Sequence, residues 1–226
     1  FMQQELAIIT GAVDAMIVDV QCIMPALGDL CECFHTKFIS TSYKAKFPGA
    51  VHMQFNEENA LAIAKEIVGA AVENYGHRVP EKVFIPKEKT ACMVGFSAEA
   101  IIKALGGTLD PLLDAIKSGA IRGIAGVVGC NNPKIKHDEG HVELVRELIK
   151  NNVLVVNTGC NAIACAKFGL MLPEAAEQAG DGLKAVCRTL GVPPVLHMGS
   201  CVDISRILTV CAAVANALGV DIIDLP

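Results

Sequence analysis

Six apolar, β-branched runs alternate along this chain with segments of helical periodicity, and that alternation limits its fold more than any other feature. The runs fall at residues 15–20, 37–41, 91–95, 121–128, 153–157 and 194–198, with weaker ones at 50–53 and 82–86. Helical patterns occupy about 24–34, 56–75, 98–105, 111–118, 139–150, 161–168, 174–190 and 203–218. A strand buried on both faces reads as a continuous Val/Ile stretch, as 121–128 and 153–157 do. Strand–helix alternation of this kind predicts a mostly parallel, doubly wound sheet with helices on its faces. Helix ends are marked as well. Ser97 is placed to cap the helix after it, Asp110-Pro111 reads as a cap followed by a first-position proline, and Gly219 closes the last helix.

The pattern breaks at residues 80–90, a proline-bracketed and charged stretch. We read it as the crossing between two Rossmann-like α/β lobes, residues 1–86 and residues 87–226, each a mostly parallel sheet flanked by helices. Phe1 precedes Met2, Gln3–Gly11 reads as a helix already under way, and Leu225-Pro226 stands where a connecting loop should begin. The expectation is an internal piece of a longer protein.

At 226 residues the chain can bury one large core or two modest ones, and 52% hydrophobic against 19% charged residues indicates a folded body. A net charge of −5 supplies no electrostatic reason to expect nucleic acid or an anionic membrane as partner. No uninterrupted apolar run reaches the length of a bilayer span, and no signal peptide is visible, so no transmembrane segment is expected. Ten cysteines without a secretory signal, irregularly spaced, argue against a disulfide framework and for a reduced, cytoplasmic setting. Such thiols serve core packing, nucleophilic chemistry or metal ligation.

Four of them share one address, just past an apolar run and just before a helical stretch. They are Cys22, Cys130, Cys160 and Cys201. In a parallel α/β sheet that address is the carboxyl edge, where strand ends converge and ligands bind. One cysteine there is most often a small buried hydrophobe. Four with the same grammar favour ligation of a soft metal. A thiol at a helix N-terminus ionises more readily, and the thiolate is the form that binds metal. Glycines precede Cys130 and Cys160, and Asn131, Thr158 and Ser200 are small or polar neighbours that leave room and N–H donors around sulfides. Cys22 would come from the first lobe and the others from the second. The gaps between the four are long, unlike those of zinc ribbons or ferredoxins, so tertiary structure would assemble the site.

The other cysteines read as structural. Cys92 is placed inside a strand, Cys165, Cys187 and Cys211 inside helices, and Cys31 and Cys33 late in a helix on different faces. His137 and His141 could share a helix face, but Gly140 weakens that helix and the order is not that of a zincin; a solvated helix start is the better reading. His197 is read either as approaching the site or as a satisfied strand histidine. Gly123, Gly126 and Gly129 do not form a dinucleotide fingerprint, Gly180-Asp-Gly182 follows a helix instead of a strand, and Lys134 and Lys136 look like charged surface.

With these segments in view, the chain resembles the catalytic subunit of anaerobic nickel–iron–sulfur carbon monoxide dehydrogenase. The resemblance is carried by Gly11–Pro25 (Gly-Ala-Val-Asp-Ala-Met-Ile-Val-Asp-Val-Gln-Cys-Ile-Met-Pro), Gly129-Cys-Asn-Asn-Pro-Lys134, Val153-Leu-Val-Val-Asn-Thr-Gly-Cys160 and Val195-Leu-His-Met-Gly-Ser-Cys-Val-Asp203 with Ser205-Arg206. These stretches keep the family's order and span nearly the whole chain. Ile204 departs from the pattern, standing where the family often has a polar residue.

The resemblance implies a cluster of nickel and three irons with four sulfides, linked to one further iron. By that resemblance Cys22, Cys130 and Cys160 would hold the three cluster irons, and Cys201 would hold nickel and be catalytic as its ligand. The implied reaction is reversible oxidation of CO with water to CO2, two protons and two electrons. Nickel would take CO and the outer iron would act as a Lewis acid on water. Electrons would pass to a ferredoxin-type carrier from a homodimer, with an acetyl-CoA synthase as a further partner. The outer iron's ligands, the acid/base groups and the 4Fe-4S relay clusters would lie outside this chain. Two rivals remain: a reductase resembling the hybrid cluster protein (a hydroxylamine reductase) with an iron-only cluster, and a metal-free α/β binding module.

Overall fold

The computed structural model describes residues 3–225, and the chain divides into two compact units, Phe1–Glu88 and Lys89–Pro226. Both are α/β, each built on a three-stranded parallel sheet.

In the first unit the elements run α1 (Gln4–Ile8), β1 (Ala15–Val18), α2 (Leu27–Glu32), β2 (Lys37–Ser40), β3 (Val51–His52) and α3 (Ala60–Tyr75). The strands lie in the order β1-β2-β3, with Ala15 opposite Lys37 and Ile39 opposite Val51. Ile8, Val18, Leu27, Cys31 and Phe38 form its apolar core. A polar clasp closes it. Arg78 grips the Asp14 carboxylate through Nε and a terminal nitrogen, both at 2.8 Å, and His35 Nε2 sits 2.9 Å from Oδ1. Asn74, on α3, donates to the carbonyls of Asp14 and His35.

The clasp carries a pH signature. Arg78 hydrogen-bonding outweighs partial burial and, with His35, holds the Asp14 carboxyl below its ordinary value. Its contribution is therefore full above the unfolded carboxylate pKa of about 4 and is lost as pH falls through the lower folded value. Asp14→Asn should cost about 2 kcal/mol near neutral pH. Denaturant melts from pH 7 to pH 2 should show that cost shrinking below about pH 4; a pH-independent cost would contradict the clasp.

The second unit contains α4 (Ala98–Ala104), α5 (Asp110–Lys117), β4 (Gly123–Val127), α6 (Glu139–Lys150), β5 (Val153–Thr158), α7 (Gly159–Lys167), α8 (Asp181–Leu190), β6 (Val195–Gly199) and α9 (Ile204–Leu218). Its strands are ordered β4-β5-β6, all parallel, with helical crossovers between them as parallel pairing requires. α6 and α7 pack together and against β5, while α4 packs on α9 and α9 on β6. The central strand β5 is the most buried, with Val155, Val156, Asn157 and Thr158 almost wholly out of solvent.

Several elements depart from the sequence reading. Residues 82–86 form no strand, because Pro80 and Pro86 bracket them; the Lys82 and Val83 amides bond locally, to the Val79 and Pro80 carbonyls, and the Phe84 amide donates to the Thr10 carbonyl at 2.8 Å. Residues 91–95 make only an isolated bridge, Val94 to His197, and Cys92 is exposed instead of lying inside a strand. The stretch 174–190 is broken into a 3-10 helix, Pro173–Gln178, and α8. The break falls where Gly180 lies against Asn152 and Lys150, with no room for a Cβ. Asp110 is the first residue of α5, not its cap; the Thr108 hydroxyl accepts its amide hydrogen at 3.3 Å. Ser97 does cap α4, accepting from Ala100 N, and Gly219 ends α9 at φ 70°.

Although no uninterrupted apolar run spans a bilayer length, Cys201–Leu218 is long and apolar enough to cross one by length and composition, with mean hydropathy 1.6. Asp203 and Arg206 interrupt it, and Ile207, Val210 and Val214 are buried in the core of the sheet.

Candidate metal centre

Because β4, β5 and β6 are parallel neighbours, their carboxyl ends line one edge about 4.8 Å apart. Each strand leaves that edge through a glycine of positive φ, followed at once or after one residue by a cysteine. Gly129 (φ 123°) precedes Cys130, Gly159 (φ 63°) precedes Cys160, and Gly199 (φ 141°) precedes Ser200-Cys201. Such φ values favour glycine, and at Gly159 there is a second reason. A Cβ built there would stand 2.5 Å from Cys201 Sγ. The absent side chain is the space the Cys201 sulfur occupies, which places it against the backbone that carries Cys160.

The turn after β6 is locked by its own polar groups. The Ser200 amide and hydroxyl both donate to Asp203 Oδ2, at 2.8 and 2.9 Å, and Arg206 Nε donates to Oδ1 at 2.9 Å. Those bonds, the Ser200 amide first, hold the Asp203 carboxyl below its ordinary value. A cleft of about 360 Å3 beside this turn is lined by Val94, Ser97, His197, Gly199, Asp203 and Arg206. His197 therefore sits in β6 opposite Asn157 and lines that cleft.

Around Cys160 the burial is unusual for such polar residues. Asn157, Thr158 and Asn161 are at most 1% exposed, yet among the described residues both amide atoms of Asn157, the Thr158 hydroxyl and the Asn161 side-chain nitrogen have no hydrogen-bond partner. Buried polar groups without protein partners are rare and mark a bound water, an ion or a functional role. Cys130 is exposed on the loop after β4, and its carbonyl is 3.2 Å from His141 Nε2 on α6. His137 lies just before α6, 3.2 Å from Asp138. In the first unit, Cys22 is half-buried four residues past β1, with left-handed backbone (φ 55°), and its carbonyl accepts from Gln4 Nε2 at 2.7 Å. A non-glycine residue held there stores strain, and such strain clusters at functional sites.

The remaining thiols behave otherwise. Burial pushes Cys165 and Cys187 up to about 12 and Cys31 up to about 11, so all three stay neutral and serve as core. Cys211 packs partly buried against the core, and Cys33 is exposed at the end of α2. Among the described residues no three His, Cys, Asp or Glu side chains stand close enough to hold a single metal ion. The donor set fits a cluster better. A cluster engages its cysteines through intervening iron and sulfide atoms, so its thiols stand farther apart than the ligands of one ion.

Two features here escaped the sequence reading. One is the pair of buried side-chain nitrogens, of Asn157 and Asn161, that lack a hydrogen-bond partner among the described residues. The other is Asp138, a buried carboxylate with left-handed backbone (φ 66°). Burial pushes its carboxyl up, but Lys167, Asn131 and His137 together pull it below its ordinary value. Neither had a local signal, since burial and partners come from the fold.

A parallel α/β unit that sends cysteines from three adjacent strand ends to one edge presents a set of soft donors at the place where ligands bind such sheets. The family described as Prismane/CO dehydrogenase matches residues 1–226, and the chain belongs to it. Carbon monoxide dehydrogenase 1 of Methanosarcina acetivorans is 72% identical over 226 residues, covering 100% of this chain and 36% of its own length. The carbon monoxide dehydrogenase/acetyl-CoA synthase subunit beta of Moorella thermoacetica is 44% identical, again over 100% of this chain and 36% of its own. Among solved structures, a nickel-free carbon monoxide dehydrogenase from Thermococcus sp. AM4, produced without the CooC maturase, superposes with TM-score 0.89 at 60% identity. It matches 100% of this chain and 36% of that one. The chain thus spans little more than a third of the relatives it matches.

Proposed function

We propose that this chain is the part of a carbon monoxide dehydrogenase that supplies most of the cage for a nickel–iron–sulfur cluster. Cys22, Cys130 and Cys160 hold the three cluster irons and Cys201 holds nickel. The observation that carries this reading is the Cys201 sulfur seated against Gly159, beside Cys160, on an edge where three cysteine-bearing strands end. When bound, the cluster supplies a nickel that takes CO and a Lewis-acid iron that activates water, with thiolate softness suited to both. The chain's own residues hold the metals in place. The Ser200–Asp203–Arg206 turn fixes the backbone at Cys201, and Asn157 and Asn161 leave buried N–H donors within a turn of Cys160. Hydrogen bonds to cluster sulfurs are one of the means by which a protein sets potential.

The activity of the whole protein is the reversible oxidation of CO with water to CO2. Electrons leave through further 4Fe-4S clusters outside this chain to a ferredoxin-type carrier, from a cytoplasmic homodimer. The Moorella relative, named for both activities, makes an acetyl-CoA synthase the natural further partner. The iron-only reductase reading is disfavoured by the relatives, which bear the dehydrogenase name. Metal analysis of the intact protein, purified anaerobically with nickel supplied, should find nickel together with iron, and CO should reduce a viologen dye. Iron without nickel, and no CO-dependent reduction, would return the case to the reductase.

A further inference from the structure

Cys130 is exposed, so core packing does not place it, yet the loop that bears it is tied down at every turn. Asn131, the next residue, exchanges two hydrogen bonds with Asp138: its Nδ2 donates to Asp138 Oδ1 at 2.9 Å, and the Asp138 amide donates to Asn131 Oδ1 at 2.7 Å. Asp138 Oδ2 is ion-paired with Lys167. Lys167 is the last residue of α7, and Cys160 is the second residue of that nine-residue helix. From α6, His141 reaches the Cys130 carbonyl. One buried carboxylate, 4% exposed, therefore joins the Cys130 loop to the rigid element that carries Cys160.

We propose that Asp138 is a positioning residue: through Asn131 and Lys167 it holds the Cys130 thiol at the separation from Cys160 that the cluster requires. The inference rests on the functional reading above. A ligand on an exposed loop would otherwise spend most of its time away from the site, and groups that orient metal ligands are worth about 10–100-fold in metal affinity. The backbone supports a specific role. At φ 66° Asp138 occupies a conformation that costs a non-glycine residue energy, and it is kept there by the partners of its side chain and amide.

The test uses Asp138→Gly and Asp138→Asn in the intact anaerobic protein. Glycine removes the carboxylate while relaxing the left-handed backbone, so lost metal cannot be blamed on strain. Asparagine keeps an acceptor for Asn131. Asp138→Gly should lose iron to a chelator about tenfold faster than the parent. Its cluster paramagnetic resonance signal should change and its melting temperature should hold, while Asp138→Asn recovers most of the retention. Wild-type iron retention and signal in Asp138→Gly would overturn the proposal. So would iron loss that only tracks a collapsed melting transition. A parent protein without nickel or iron would instead sink the functional reading, which keeps the two failures apart.

Discussion

Replacing Cys201 with alanine in the intact protein should remove nickel and leave most of the iron. The thiol is half-buried, and its turn is held by Ser200, Asp203 and Arg206 through bonds that do not involve sulfur. Losing one sulfur from such a position costs the fold little, about 1 kcal/mol on the scale of small core deletions. The sheet edge and the other cysteines should therefore stay in place. Cys130 and Cys160 leave different strands, β4 and β5, and Cys22 belongs to the other unit, so the iron ligation proposed for them does not depend on the β6 turn. Parallel nickel and iron determinations on variant and parent, with unfolding curves of both, check this. Equal loss of the two metals with an intact fold would assign Cys201 to the cluster as a whole and end its nickel role.

How much of this was legible in the residues depends on what each signal needed. The strands that became β1, β2, β4, β5 and β6 are apolar runs in a chain that can bury both faces of a sheet, so local composition and global fold agree. The run at 91–95, Ala-Cys-Met-Val-Gly, was misleading because its hydrophobic residues are too few to propagate a ladder beyond one bridge. The stretch 174–190 keeps helical periodicity through a break that only tertiary crowding at Gly180 and Gly182 reveals. At the candidate site, the strand–glycine–cysteine grammar pointed to the edge on which Cys130, Cys160 and Cys201 stand. What it could not show is support from a distance. The Asp138–Lys167 pair spans 29 positions of sequence (167 − 138), and the left-handed backbone of Cys22 and Asp138 has no compositional mark. Polar support of this kind is created by the fold, so sequence reads as charged surface what the structure shows as a clasp.

Gly159→Ala should be strongly damaging, and the damage should depend on a sulfur atom. Two costs add. At φ 63° an L-residue loses about 1–2 kcal/mol to its own backbone, and overpacking a filled site adds about 1–3 kcal/mol. The second cost has an identified partner, because the new methyl would stand 2.5 Å from Cys201 Sγ, nearer than real Cβ atoms come. Either the sulfur swings away or the β5–α7 turn shifts, and both outcomes move a cysteine proposed as a metal ligand. The metal-free variant should lose about 2–5 kcal/mol in urea, and the anaerobic protein should take up little nickel. A double-mutant cycle isolates the contact. In Gly159→Ala/Cys201→Ala the colliding sulfur is gone, so the overpacking share should vanish while the backbone share persists. That leaves a coupling of about 1 kcal/mol or more between the two sites. Strictly additive losses would mean that the sulfur and the glycine do not touch, and the juxtaposition of Cys201 with the Cys160 turn would have to be abandoned.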